Sequence, residues 1–247
     1  MFSGLKKIVL GSFIIILICL SIISPAVLKV ALGSKAVYRK VTEDKIVALT
    51  FDDGPDPRYT VPILDTLKEF QAPATFFMVG NNVISYPEIA KRIVAEGHEV
   101  GDHTMTHPRL TDLTPEQAYV EIERGYQTII DVTGTVPEYF RSPKGLSTGY
   151  VEEAVSSLGM KEILWTVTIE NRAATTPEEM SNRVLNKIKP GYIILLHDGR
   201  LDRTKTVQAL PLLLKGLREQ GYKVVPLSEL LQQETPEELA SYDPLTL

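Results

Sequence analysis

Cysteine is almost absent from this chain of 247 residues. The single cysteine, Cys19, excludes both an intrachain disulfide and a cysteine-based zinc cluster. Only four histidines are present, His98, His103, His107 and His197, so each can be considered separately. An excess of positive charge is also lacking, since 26 basic residues stand against 31 acidic ones and the net charge is −5. This balance argues against nucleic-acid binding, in which clustered Lys and Arg supply most of the affinity.

The first 33 residues contain no acidic side chain but do contain a long uncharged run. Residues 8–28 follow Lys6 and Lys7, and their 21 positions are long enough, as a helix, to cross the hydrocarbon core of a bilayer. We predict an uncleaved signal anchor over residues 1–33, a single membrane span with the remainder outside the cytoplasm. The alternative is a cleaved signal peptide, with Ser24-Pro25-Ala26 as the cleavage region, which would give a secreted protein.

The rest of the chain alternates between strand-like and helix-like segments. We predict a short linker at residues 34–44, one domain at 45–231 and a tail at 232–247. Apolar runs predict seven strands, at residues 45–51, 74–79, 98–101, 139–141, 163–167, 192–196 and 223–225. Helical patterns lie between them, at residues 61–70, 86–96, 115–133, 148–158, 177–187 and 206–220. This alternation predicts an α/β fold with a parallel sheet, and closure into a barrel would bring functional residues together at the carboxyl ends of the strands.

Two helix starts are particularly well marked. Thr114 and Thr176 are each followed by proline at the first helical position and by Gln or Glu at the third. A threonine cap, a proline and a reciprocal acceptor at this spacing are typical of a capping box.

Two acids follow the first predicted strand, in the run Asp52-Asp53-Gly54-Pro55. Alone, this run is typical of a turn before a helix. Because neighbouring side chains diverge, however, one carboxylate could bind a metal while the other faces a bound water.

Two histidines four residues apart, His103 and His107, follow the third predicted strand. They can converge on one ion if the residues between them form a helical turn, and neutral imidazole is a common ligand of zinc and related metals. We expect the neighbouring Asp102 to orient this loop and His98 to be structural.

Two further motifs end strands. Arg141 begins the run Arg-Ser-Pro-Lys-Gly, and His197 ends a very apolar strand before Asp198-Gly199. Arg141 is either a surface cation or the partner of a nearby carboxylate. His197 is either a helix-capping residue or a general acid at the same edge of the sheet.

Together the runs TFDDGP, HTMTH, RSPKG and LLHDG resemble, in order and approximate spacing, the polysaccharide deacetylase family, also called the NodB-homology or carbohydrate esterase 4 group. The resemblance covers roughly residues 45–231. It implies a distorted (β/α)7 barrel that removes N- or O-acetyl groups with the help of one divalent metal ion. We expect zinc, with cobalt or another transition metal as the alternative.

The resemblance also implies a role for each motif residue. Asp52 matches the catalytic base, Arg141 the arginine that orients it, and His197 the general acid. The metal ligands are implied to be Asp53, His103 and His107. Leu195 matches the position that lines the acetyl-methyl pocket, and the loop of Pro143, Lys144 and Gly145 is implied as a candidate for binding the oxyanion through its backbone.

One segment departs from the family pattern. An aspartate that supports the acid histidine usually lies three residues after the tryptophan, but here that position, counted from Trp165, is Thr168. Without a carboxylate beside it, His197 is expected to have a lowered pKa. Glu170 lies on the same strand face as Thr168 and is a candidate substitute. Asn171 and Arg172 also replace an Asp-Trp pair, which removes an aromatic surface for a sugar.

These features predict an N-deacetylase of an N-acetylglucosamine-containing cell-wall polymer, peptidoglycan or chitin-like. The alternatives are an esterase of O-acetylated glycans, which depends less on the acid histidine, and a catalytically weak wall-binding protein. The expected partners are the acetylated glycan and, through the N-terminal helix, the membrane; no nucleic acid and no obligate protein partner are expected.

Overall fold

The computed structural model describes residues 36–170 and 175–232. They form one parallel sheet of eight short strands surrounded by helices. The strands are β1 Ile46–Asp52, β2 Thr75–Met78, β3 Glu99–Asp102, β4 Tyr139–Phe140, β5 Lys161–Glu162, β6 Val167–Thr168, β7 Ile193–His197 and β8 Lys223–Val224. Their order is β5-β4-β3-β2-β1-β7-β6, and β8 pairs with the start of β1.

The helices follow the strands in the order expected for a parallel sheet. They are α1 Thr60–Phe70, α2 Gly80–Ser85, α3 Pro87–Ala95, α4 Pro115–Thr133, α5 Gly149–Ser157, α6 Pro177–Leu185, α7 Thr204–Glu219 and α8 Leu227–Gln232. Both predicted capping boxes are present, since Thr114 accepts from the Gln117 amide and Thr176 from the Glu179 amide. All seven residues of β1 are buried, as expected for a strand covered on both faces.

The sheet curls into an incomplete barrel, because its end strands β5 and β6 are not paired with each other in the part of the chain described. Val37 lies across this gap. Its amide donates to the Glu162 carbonyl at 2.9 Å, and its carbonyl accepts from the Leu164 amide at 2.8 Å. Lys40 likewise donates to the carbonyl of Gly191, just before β7. The predicted linker therefore contributes backbone hydrogen bonds to the barrel, while the domain boundaries stay a prediction.

Alternation along β1 determines which side chains can reach the site. Val47, Leu49 and Phe51 belong to the apolar layer between the sheet and the outer helices. Ile46 and Ala48 belong to a smaller cluster, which α8 completes through Leu227 and Leu230. Because strand side chains alternate, Thr50 and Asp52 share the face of Ile46 and Ala48. The first predicted catalytic residue therefore lies on the barrel's inner side.

The predicted strand at residues 163–167 is wrong except at its last residue, and over the described residues the sheet has eight strands instead of seven. The strand β5 ends at Glu162, just before this stretch, and β6 begins at Val167. The carbonyls of Ile163 and Leu164 instead accept hydrogen bonds from the Arg141 guanidinium. The helix α2 was not predicted from the sequence, because it has six residues and no side-chain cap.

No helix in the described part of the chain is long and apolar enough to cross a membrane. The predicted span at residues 8–28 lies outside the described residues, as do positions 171–174 and most of the predicted tail, from residue 233.

Candidate active site

The predicted polar residues meet at one edge of the sheet. Asp52 ends β1 and is the register partner of His197, which ends β7. His103 follows β3, and Arg141 follows β4. Parallel strands present their carboxyl ends at the same edge, so residues far apart in the sequence come together here.

The two adjacent acids point in different directions. Asp52 is buried on the inner face, and its Oδ1 accepts a 2.6 Å hydrogen bond from Arg141 Nη1. Asp53 has a positive φ of 80°, which turns its side chain away from that of Asp52. At Gly54 a Cβ atom would lie 2.1 Å from the Asp198 carboxylate, so no side chain fits there. The run is thus a turn, as its composition indicates, but a turn that separates a candidate base from a candidate ligand.

Three ligand atoms converge on one point. Oδ1 of Asp53 lies 3.0 Å from Nε2 of His107 and 3.7 Å from Nε2 of His103. Nδ1 of His103 lies 2.6 Å from the Arg141 carbonyl, which can only accept, so this nitrogen carries the proton and Nε2 presents a lone pair. Asp53 Oδ1 is buried, and apart from the His107 ring nitrogen it meets no hydrogen-bond donor among the described residues. This set of acceptors fits a divalent cation.

The electrostatics of Asp53 suit a metal ligand. Burial raises the pKa of its carboxyl, but the contact with His107 and the nearby His103 and His197 outweigh burial and lower that pKa to about 2. Asp53 is therefore a carboxylate over the working pH range of most proteins.

The two histidines converge through an irregular loop, so the predicted helical turn is wrong. Thr104 and His107 have positive φ values of 68° and 60°. Asp102 accepts from the Thr104 amide, and the Thr104 hydroxyl accepts from the His107 amide at 3.0 Å. Asp102 thus orients the loop, as expected. His98 accepts from the Ala74 amide and packs edge-on against Phe76, which is a structural arrangement.

Arg141 is fully buried, not a surface cation. Its guanidinium donates to Asp52, to the Thr50 hydroxyl and to the carbonyls of Ile163 and Leu164, and it packs 4.1 Å from the Phe77 ring centroid. This set of contacts fixes the orientation of the Asp52 carboxylate.

His197 has a carboxylate partner in spite of the threonine at position 168. Its Nδ1 lies 3.2 Å from Oε2 of Glu170, and its amide donates to Oε1 of the same residue. Burial lowers the pKa of His197, but Glu170 outweighs burial and raises it above its ordinary value. Glu170 is thus confirmed as the substitute carboxylate, and the lowered pKa expected for a histidine without such a partner does not apply. Thr168 donates to Glu170 and so helps to hold it.

Arg203 is part of this site and was missed in the sequence. It is buried, donates to the Gly199 carbonyl at 3.0 Å and to Oδ2 of Asp53 at 3.3 Å, and lies 3.9 Å from Oε1 of Glu170. Arg203 thereby connects Asp53, a candidate ligand, to Glu170, the carboxylate beside His197. The only signal in the sequence was an arginine six residues after His197, which does not by itself indicate burial.

A cavity of about 220 Å³ opens over these groups. Leu195 lines it together with Trp165, and the loop Pro143–Gly145 contributes Lys144. Of that loop only the Lys144 amide is available to an oxyanion, because proline lacks an N–H and the Gly145 amide donates to the Ser142 carbonyl at 2.9 Å. Two larger cavities lie elsewhere, and neither has these convergent polar groups.

Comparison with known proteins identifies the family. The polysaccharide deacetylase family model matches residues 39–163, which include Asp52, Asp53, His103, His107 and Arg141. A peptidoglycan-N-acetylglucosamine deacetylase of Bacillus cereus is 40% identical over 191 residues, which are 76% of this chain and 89% of that protein. The chain belongs to the polysaccharide deacetylase family.

Solved structures of this family share the fold. The Bc1960 peptidoglycan N-acetylglucosamine deacetylase, in complex with 4-naphthalen-1-yl-N-oxidanyl-benzamide, has a TM-score of 0.77 and 30% identity over 83% of this chain and 96% of its own. Wild-type BA3943 of Bacillus anthracis, described as a pseudoenzyme of carbohydrate esterase family 4, has a TM-score of 0.75 and 32% identity over 81% and 69% of the two chains. The shared fold therefore does not by itself establish activity.

Proposed function

We propose that this protein is a metal-dependent deacetylase that hydrolyses N-acetyl groups of a cell-wall glycan, with peptidoglycan as the favoured polymer. The observation that carries the proposal is the convergence of Asp53 Oδ1 and two imidazole Nε2 atoms beside Asp52, which Arg141 holds. The peptidoglycan deacetylases among its relatives support the choice of polymer.

Asp53, His103 and His107 would hold the metal, and zinc is the ion that we propose, with cobalt as the alternative. A bound zinc ion supplies Lewis acidity and lowers the pKa of a coordinated water. His103 is already in the tautomer that binding needs, because its Nδ1 proton is committed to the Arg141 carbonyl.

The protein groups divide the proton transfers between them. Asp52, kept aimed by Arg141, takes the proton of the attacking water. The amide of Lys144 would donate to the oxyanion of the tetrahedral intermediate, and Leu195 would offer an apolar wall to the acetyl methyl group. His197 donates a proton to the departing amine, with Glu170 favouring its protonated form.

The Glu170 carboxylate beside His197 bears on whether the substrate carries an N-acetyl or an O-acetyl group. An amine is a very poor leaving group unless it is protonated, whereas the alcohol of an ester depends less on the acid. The pairing of His197 with Glu170 therefore favours N-acetyl over O-acetyl substrates.

A catalytically weak wall-binding protein is the second candidate, because one solved neighbour is a pseudoenzyme. The presence here of Asp52, Arg141 and His197, together with the three candidate ligands, favours the enzyme.

The test is acetate release by the full-length chain from isolated peptidoglycan, N-acetylated chitooligosaccharides and O-acetylated xylan, each with zinc, with cobalt and with a chelator. We expect metal-dependent release from the N-acetylated glycans, with peptidoglycan the best substrate. Release from xylan alone would establish the esterase. No release from any substrate would refute both enzymatic functions and leave wall binding.

We also propose that residues 1–33 hold the protein in the cell membrane with its domain outside the cytoplasm. Fractionation of cells that produce the full chain should place the protein with the membranes, and protease added to protoplasts should degrade the domain. Recovery from the medium with a new N-terminus near Ala26 would establish cleavage instead.

A further inference from the structure

The described part of the chain contains six non-glycine residues with positive φ, and five of them border the candidate site. The six are Asp53, Gln71, Thr104, His107, Lys144 and Arg200. Gln71 merely ends α1 as its left-handed cap. L-residues adopt this conformation rarely, and they persist in it mainly where surrounding structure holds them, often at functional sites. Asp53, Thr104 and His107 have roles described above, which leaves the side chains of Lys144 and Arg200 to be explained.

These two cations line the same cavity from separate loops. Lys144 lies in the loop after β4, Arg200 lies in the loop after β7, and both side chains are exposed. Over residues 36–170 and 175–232, no ion pair joins either of them to a carboxylate. Arg141 and Arg203, in contrast, are buried and engage Asp52 and Asp53. The charged groups of Lys144 and Arg200 are therefore available to a ligand.

Both cations belong to loops whose backbone is packed against the site. The Gly145 amide donates to the Ser142 carbonyl, and a Cβ atom on Gly145 would lie 2.7 Å from the Trp165 ring. The Leu201 amide donates to the Gly199 carbonyl, and a Cβ atom on Gly199 would lie 2.2 Å from the Asp53 carbonyl oxygen. Each loop is thus packed against a wall or a ligand of the site, and its cation stays near the cavity although the side chain is free.

We propose that Lys144 and Arg200 bind a carboxylate that the substrate carries close to the acetylated sugar. The inference rests on the proposed function and specifies its substrate as an acidic N-acetylated glycan. A neutral sugar would leave both cations unused. The protein has a net charge of −5, and its cleft contains Asp52 and Asp53. Two positive charges at the entrance reduce the electrostatic repulsion that an acidic polymer meets as it binds.

The test compares matched glycans on the full-length chain with zinc. One substrate is peptide-free glycan strands of peptidoglycan with the lactyl carboxylate intact, and the other is the same strands with that carboxylate reduced to the alcohol. We expect KM to be lower for the acid form, and K144Q and R200Q each to raise that KM about two- to fivefold, the range of an exposed ion pair. R200Q should leave KM for the reduced strands unchanged, and K144Q, whose backbone amide belongs to the site, should raise KM for the acid strands by a larger factor than KM for the reduced strands. A third substrate, strands that retain their peptides, distinguishes peptide carboxylates from the lactyl group.

The control is K189Q, which removes an exposed lysine near the opposite end of β7 and should leave KM for every substrate unchanged. Equal KM values of the wild type for the acid, the reduced and the peptide-bearing strands would overturn the proposal. So would a rise in KM that is the same for both forms. A response of only one variant would overturn the role of the other cation. Loss of acetate release by the wild type from all strands would instead refute the proposed function.

Discussion

The adjacent acids Asp52 and Asp53 have different proposed roles, one as a base and the other as a metal ligand. Asp52 and Asp53 have the same side chain, but the positive φ of Asp53 and the Arg141 hydrogen bond to Asp52 give them different surroundings. One carboxylate points to two histidines, and the other is held by a guanidinium. Their substitution should therefore separate metal binding from turnover.

We expect Asp52→Asn to retain zinc and to lose about 100-fold or more in kcat/KM, the contribution typical of a general base. His103→Ala should lose both zinc and turnover, because it removes an Nε2 ligand. Zinc content by atomic absorption and acetate release check both variants. Turnover by Asp52→Asn equal to that of the wild type would refute the base assignment.

Glu170 determines the expected pH dependence. Because Glu170 raises the pKa of His197 above its ordinary value, the protonated acid persists to higher pH than it otherwise would. Glu170→Gln removes the negative charge but keeps an acceptor, so His197 should lose its proton at lower pH. The alkaline limb of kcat/KM against pH should move to lower pH.

Glu178→Gln, on the exposed start of α6, is the matched control and should leave that limb in place. An unchanged alkaline limb in Glu170→Gln would exclude Glu170 as the support of the acid.

At the scale of elements, the start of α7 connects two parts of the site. Arg203 is its N-cap residue and contacts Asp53, while Thr206, in its first turn, donates to Glu170 at 2.8 Å. The chain after β7 therefore contacts both Asp53, a candidate ligand, and Glu170, the carboxylate beside the candidate acid His197. Disturbing this helix start should affect metal binding without removing a ligand.

We expect Arg203→Met to weaken zinc binding by about 10- to 100-fold, the usual effect of losing a group that orients a metal ligand. Competition with a chromophoric chelator measures the affinity. Arg218→Met is the control, since Arg218 lies near the other end of α7 and its side chain donates to the Phe70 carbonyl, away from the site. Equal zinc affinity in Arg203→Met and the control would show that Asp53 needs no such partner.

At the scale of the whole molecule, a segment before the first strand spans the opening of the barrel. Val37 donates to Glu162 and accepts from Leu164, whose own carbonyl holds Arg141. Closure of the barrel is thus connected to the orientation of Asp52 through a short series of hydrogen bonds.

Val37→Pro should lower the free energy of unfolding by about 1–3 kcal/mol more than Val37→Ala, because only proline removes the amide and leaves the Glu162 carbonyl without its donor. For a chain of this size the difference corresponds to a fall in Tm of roughly 2–12 °C. Thermal unfolding of the full chain followed by circular dichroism measures it. Equal Tm values for the two variants would show that closure does not depend on this hydrogen bond.

The alternation of apolar runs with capped helices, and four short polar motifs, sufficed to predict the parallel α/β fold and most of the residues at the candidate site, Arg203 being the exception. These features are local, because strand propensity, capping and motif spacing are written in neighbouring positions. Thr114 and Thr176 are the clearest examples, since each capping box lies within four residues.

Features that depend on contacts between distant residues could not be predicted from the sequence. The stretch 163–167 does not form one strand, because Arg141 takes up carbonyl groups of this stretch. Arg203 is buried in contact with Asp53, which lies 150 positions earlier in the sequence. The support of His197 by Glu170 likewise spans 27 positions. A sequence specifies which groups can ionise or donate, but their partners, and hence their pKa values and orientations, are determined by the way the strand ends meet.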